Sequence, residues 1–388
     1  MKFYRIDDLP PYVFATVDQL KRELRRDARD VIDLGFGNPD IPSPDTAVEK
    51  LREAALNPRN HRYSASRGIE QLRRAVTEHY ARRFGVELDP DTQVVNTIGA
   101  KEGLAHLMWV LVDRGDTVVV PTPAYPIHRV APRLAGADVV TAYATDGVDG
   151  IEEAVLTARP RAVVISYPHN PTTSVVTAED MQRLVDLARE RGFVLVHDFA
   201  YADIAFDGHR PPSVLAANGA HECAVELYSL TKSFSMAGWR VGFVLGNPDV
   251  VAALAKLKSY LDYGTFQPIQ IAATVTLREA GEYPAEVCEI YRSRRDALCD
   301  GLALARWPVE PPLGTMFVWA PIPEPYRAQG SLELALRLAR EANVAVSPGI
   351  GFGDGGDGHV RFALIENEQR IRQATRAIGR LLRQTVAH

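Results

Sequence analysis

The chain has 388 residues, 46% of them hydrophobic and 24% charged, with a formal net charge of -5. That length allows two sizeable cores, and the composition is that of an ordinary soluble globular protein. The acidic balance argues against nucleic acid or an anionic membrane as the main partner, since both need a basic footprint, and no apolar run is long enough to cross a bilayer.

Residues 1–44 are rich in charge and proline and end in the loop GNPDIPSPD. From about residue 45 to about 280, short β-branched runs alternate with amphipathic helical stretches. The expected strands are Val94–Ile98, Thr117–Pro121, Asp138–Ala142, Ala162–Tyr167, Phe193–Asp198, Val225–Ser229 and Val241–Gly246. Ala100–Val112 and Ala178–Glu190 carry apolar positions three and four apart and read as helices. Such alternation implies an α/β fold with a mostly parallel, seven-stranded sheet covered on both faces. Ligands of such sheets sit beyond the carboxyl ends of the strands. After about residue 285 the chain reads helix, strand, helix, strand, helix, with prolines around Pro308–Pro312 and Pro321–Pro325 as breaks. The expected division is a large domain over 45–284 and a small one built from 1–44 and 285–388.

The run SPGIGFGDGGDGH is dense in glycine, but it leads into HVRFALIE, which reads as a strand. A dinucleotide loop opens a helix instead, so a flexible turn is expected there. Cys223, Cys288 and Cys299 lack metal-ligand spacing and suit reduced thiols in the cytoplasm.

The stretch YSLTKSFSMAGWRVGFVLG holds the densest chemistry. Lys232 follows directly on an apolar strand among small and apolar residues, surroundings that lower an amine's pKa and make it nucleophilic; the alternative is a solvated loop lysine. Asp198 ends a buried strand, where a carboxylate needs a partner, unless it is a turn aspartate. Ala100 and Lys101 open an apolar helix whose amides and dipole suit an anion. Arg361 lies within the apolar strand VRFAL, where it either clamps a carboxylate with its planar fork or pairs internally with a glutamate such as Glu366.

Together with LGFGNPD, YSASRGI, TIGAKEGL, PTPAYP, YPHNPT and HDFAYAD, in that order, the lysine segment and VRFAL resemble the class I aminotransferases. These have the fold-type-I architecture and use pyridoxal 5′-phosphate (PLP). RIDDLPPYVF, KSYLDYGTFQP and IPEPY are most similar to the bacterial alanine-synthesising transaminase branch, close to the LL-diaminopimelate aminotransferases. The resemblance implies that Lys232 forms a Schiff base with PLP and moves the substrate's α-proton, while Asp198 pairs with the pyridine nitrogen. It assigns Tyr201 and Asn170 to the phenolic oxygen and Tyr125 to the ring face. Ala100, Lys101, Ser229 and Arg240 would hold the phosphate, joined by Tyr63 from the neighbouring subunit of a homodimer. Arg361 would clamp the substrate carboxylate beside Gly37, Asn38 and Asn170, with Tyr12 closing over it. Alanine and glutamate, with pyruvate and 2-oxoglutarate, are the implied substrates. Rival activities of the same fold are PLP oxidases, cyclases and lyases; an effector domain of a transcription regulator would need a basic helix-turn-helix ahead of it. Two departures stand out: Glu70 replaces a proline expected at a helix start, and AYATDGVDGIEEAV is several residues short.

Overall fold

The computed structural model describes residues 1–386 other than Tyr4, Arg5, Asp8, Pro10 and Pro11. Those five, within or beside the RIDDLPPYVF motif, and the last two residues lie outside the described residues. Two sheets organise the chain. β1 (Ile32–Leu34) belongs to the smaller one. The larger holds β2 (Val94–Thr97), β3 (Thr117–Thr122), β4 (Asp138–Tyr143), β5 (Ala162–Ile165), β6 (Val194–Asp198), β7 (Ala224–Ser229) and β8 (Gly242–Gly246), in the order β2-β8-β7-β6-β5-β3-β4. Every strand expected from the sequence is present, with ends shifted by a residue or two.

Pairing from β4 through β3, β5 and β6 to β7 is parallel. Parallel neighbours require crossovers, and the helices Gly147–Ala158 and Ala178–Arg191 are among those that supply them. β8 follows β7 and runs antiparallel to both β7 and β2. Val118 and Val120 pack with Leu104, Leu107 and Leu254 on one face, whereas Val119 packs with Ile151 and Leu184 on the other. Two buried faces explain why these strands read as continuous valine-rich runs rather than as alternation.

The smaller sheet adds β9 (Phe317–Pro321), β10 (Val344–Pro348) and β11 (His359–Ala363), in the order β1-β10-β11-β9. β1 pairs in parallel with β10, Ile32 opposite Val344, so the two ends of the sequence share one sheet. The sequence suggested two strands after residue 285; there are three, because VAVSP and HVRFA flank the glycine-rich run as separate strands. That run turns, as expected, at 354–355 and 357–358, but only after a short helical segment. Gly349–Phe352 makes a tight helical turn, Phe352 is buried, and its carbonyl accepts a bond from Ala124 N at 2.9 Å. A helix over Phe14–Arg26, unassigned from the proline-rich sequence, packs Val17 and Leu24 into the same core as β10.

Glu70 takes the first position of the helix Glu70–Phe84, where its charge complements the helix dipole, so loss of the proline is tolerated. The shortened AYATDGVDGIEEAV stretch begins in the last two residues of β4, at the far edge of the sheet, and continues into the helix Gly147–Ala158.

Candidate active site

Parallel strands deliver their carboxyl ends to one edge of the sheet, and the loops there converge on a cavity of about 360 Å³. Residues after β2 (Ala100, Lys101), β3 (Tyr125, His128), β5 (Asn170), β6 (Asp198, Tyr201) and β7 (Ser229, Lys232) line it. Because β8 runs in reverse, Arg240 at its start reaches the same edge. The smaller sheet covers the opening with Phe317, Ser347 and Arg361, and the N-terminal region adds Tyr12, Phe14 and Gly37.

Lys232 sits in a one-turn helix, Leu230–Ser233, capped by the Ser229 hydroxyl, which accepts a bond from Thr231 N. Its Nζ donates to Gly37 O at 2.7 Å. Burial, then the Arg361 and Arg240 guanidiniums, push this amine down to about 7. Both effects disfavour the ammonium form. Asp198 is 8% exposed; its Oδ2 lies 2.8 Å from His128 Nε2, while its Oδ1 is buried with no partner among the described residues. A carboxylate can only accept, so the His128 hydrogen is on Nε2.

Arg361 is 6% exposed and has no carboxylate within 4.0 Å among the described residues, which removes the Glu366 pairing. Its Nη1 donates to Asn170 Oδ1 at 2.7 Å and its Nη2 to Gly35 O at 3.2 Å. The guanidinium lies over the Phe317 ring, 3.8 Å from the centroid, and 4.6 Å from that of Phe352. Burial lowers its pKa to about 10. Burial raises the Tyr201 and Tyr125 phenols, so both are neutral donors at pH 7.

At the opposite end, the helix Ala100–Leu111 starts with no side-chain cap, leaving its first amides open to the cavity. Gly99 precedes it with φ +79°, and a Cβ there would run into the Arg240 guanidinium. Arg240 itself bonds Ala237 O at 2.9 Å and Ile98 O at 3.4 Å.

Two expected residues stand elsewhere. Asn38 is exposed and does not line the cavity; its N–H closes a tight turn on Phe36 O, which turns Gly37 inward and Asn38 out. Tyr63 is 84% exposed, its ring 4.6 Å from that of Tyr263. Sequence reasoning missed His128, Phe317 and Phe352. For His128 one signal existed, its place three residues after Tyr125 on the same helical face, where the rings meet edge to face at 5.9 Å.

Residues 29–378 match the family described as aminotransferase class I and II. The chain belongs to this family. Among relatives, the glutamate-pyruvate aminotransferase AlaC of Escherichia coli (strain K12) is 50% identical over 387 residues, spanning 98% of this chain and 94% of that one. The LL-diaminopimelate aminotransferase of Desulforudis audaxviator (strain MP104C) is 42% identical, spanning 95% of each. Among solved structures, substrate-bound BacF from Bacillus subtilis is 34% identical with a TM-score of 0.92 over 98% of both chains. As an aminotransferase, the protein exchanges amino groups between an amino acid and a 2-oxo acid.

Class I aminotransferases use PLP, and this cavity fits it. The orphaned Asp198 Oδ1 offers an acceptor to a ring N–H, the uncapped amides and Arg240 suit a phosphate, and Lys232 supplies an amine between them. Among the described residues no helix is long and apolar enough to cross a membrane.

Proposed function

We propose that Lys232 carries PLP covalently and that the chain transfers amino groups between alanine or glutamate and the matching 2-oxo acids, pyruvate and 2-oxoglutarate. One observation carries this reading. A buried amine whose pKa is pushed down to about 7 shares one cavity with a carboxylate oxygen and a guanidinium that, among the described residues, have no hydrogen-bond partner and no counter-ion respectively.

The Arg361 fork receives the substrate α-carboxylate. No carboxylate among the described residues compensates its charge, so an incoming anion gains a charge-assisted pair in surroundings that exclude water. Phe317 and Phe352 hold the guanidinium plane from its faces, and Asn170 fixes one edge. Lys232, whose amine burial pushes toward the unprotonated form, accepts the α-proton and returns it. Asp198, oriented by His128, would pair with the ring nitrogen and keep it protonated. When bound, PLP supplies the carbonyl that takes up the amine and a ring that draws electrons from the α-carbon. Tyr201 would serve the ring oxygen as a neutral donor, Tyr125 the ring face, and Ala100, Lys101, Ser229 and Arg240 the phosphate. Tyr12 closes the cavity mouth.

The reading includes a cytoplasmic homodimer in which Tyr63 reaches the partner's phosphate. Exposed Tyr63, Tyr260, Tyr263 and Phe266 support it, because so much aromatic surface suits an interface. It also includes the division into 45–284 and 1–44 with 285–388, supported by the two sheets. The substrate choice rests on the AlaC relative.

The test is a screen of amino donors against pyruvate and 2-oxoglutarate. Alanine with 2-oxoglutarate and glutamate with pyruvate are expected to react fastest, in stoichiometric exchange. A strong preference for LL-diaminopimelate would overturn the substrate assignment, and ammonia release without an acceptor would point to a lyase or oxidase.

A further inference from the structure

We propose that Lys258 is a positioning residue for the phosphate-binding end of the cavity, holding the Glu102 carboxylate so that it braces the Ile98–Gly99 turn without repelling a bound phosphate. The proposal rests on the PLP reading above.

Lys258 lies in the helix Pro248–Leu261 and is 0% exposed. Its Nζ donates to Glu102 Oε1 at 2.8 Å and to Asp262 Oδ2 at 2.9 Å. Glu102 stands in the first turn of the helix Ala100–Leu111, and its Oε2 accepts a bond from Ile98 N at 3.0 Å. The carbonyl of the same residue, Ile98, accepts from Arg240 Nη2. Glu102 and Arg240 therefore grip one residue from both sides, directly before the open amides of Ala100 and Lys101.

That geometry has an electrostatic cost unless it is compensated. A carboxylate in the first turn of a helix competes with any anion bound at the same N-terminus, and like charges a few ångströms apart repel. Lys258 neutralises Glu102 from the side away from the cavity, which it does not itself line. His106 Nδ1 also lies 2.9 Å from Glu102 Oε1. On its other side Lys258 anchors Asp262, whose Oδ1 accepts from Gly264 N at 2.6 Å, fixing the loop that carries Tyr263 against Tyr63. The bland alternative is an ion pair that only stabilises the fold; it makes no distinction between phosphorylated and unphosphorylated ligands.

The experiment titrates the apoprotein with PLP and with pyridoxal, which lacks the phosphate, for wild type, Lys258→Met, Glu102→Gln and the double variant. Lys258→Met is expected to lower the PLP-to-pyridoxal affinity ratio at least tenfold while pyridoxal affinity stays within about twofold. The double variant should regain part of the ratio, because the uncompensated carboxylate is gone. Should Lys258→Met fail to fold, Glu102→Gln alone is expected to lower the ratio by loosening Ile98, and the double variant to fold. The proposal is overturned if both affinities fall by the same factor or if the ratio is unchanged in every variant that folds. A wild-type protein with no preference for PLP over pyridoxal would overturn the phosphate site itself, a result separable from the first.

Discussion

Arg361 and Asp198 divide binding from chemistry between them. On the proposed reading Arg361 meets the substrate carboxylate before and during reaction, so its loss should raise KM strongly and, through misorientation, lower kcat as well. Removing one half of a buried, hydrogen-bonded charge pair costs roughly 2–5 kcal/mol, which is about thirty- to several-thousand-fold in kcat/KM. Arg361→Lys should recover little, because a point charge reproduces neither the fork nor the stacking on Phe317. Asp198→Asn should instead lower kcat far more than it weakens substrate binding; steady-state kinetics of both variants on one donor separate the two patterns, and a wild-type KM in Arg361→Lys would remove the clamp. Lys232 makes a prediction of another kind. Its folded pKa of about 7 lies below the ordinary 10.5, so between these values the unfolded chain binds more protons at this site, and stability rises with pH. Below pH 7 the penalty of burying the ammonium is complete. Chemical denaturation of the apoprotein at pH 7 and near pH 10 should show wild type gaining on Lys232→Met over that window; a constant difference would contradict the burial of the amine.

Elements place these residues, and the sequence shows that placement unevenly. Lys232, Asp198 and the Ala100 helix start were legible because each abuts an uninterrupted apolar strand, and the rule that ligands gather at strand carboxyl ends does the rest. His128 was not, since its partner Asp198 is 70 residues away and its spacing from Tyr125 marks only a shared helical face, not that pairing. Phe317 and Phe352 belong to β9 and to the turn after β10, and they meet Arg361 only through a sheet that the sequence pattern under-counted by one strand. The glycine-rich run read as loose because composition cannot show that Phe352 is buried and its carbonyl bonded. Gly99 tests the element directly: Gly99→Ala adds a methyl group where φ is +79° and the Arg240 guanidinium already stands. Its PLP dissociation constant should rise at least tenfold with the sheet's circular dichroism unchanged; an unaltered constant would mean the turn does not shape the phosphate site.

For the whole molecule, the two sheets set the functional geometry. The larger positions Lys232 and Asp198 and the smaller carries Arg361 across the opening, so all three line one cavity. The exposed pair Tyr63 and Tyr263 extends the account to two chains. If Tyr63 serves the partner's phosphate, PLP affinity and dimerisation are linked, and each must strengthen the other by the same factor. Sedimentation of apo and PLP-loaded protein should therefore show a tighter dimer with PLP, and Tyr63→Ala should abolish most of that difference. A fully active monomer would refute the shared site.

The central claim, that Lys232 is the residue to which PLP attaches, is tested by borohydride reduction of the PLP-loaded protein, followed by proteolysis and mass-spectrometric mapping. The account predicts a single pyridoxyl adduct on Lys232, with loss of the yellow absorbance in step with its formation. An adduct on Lys101, Lys258 or any other lysine, or no adduct in a protein that still turns over, would contradict it.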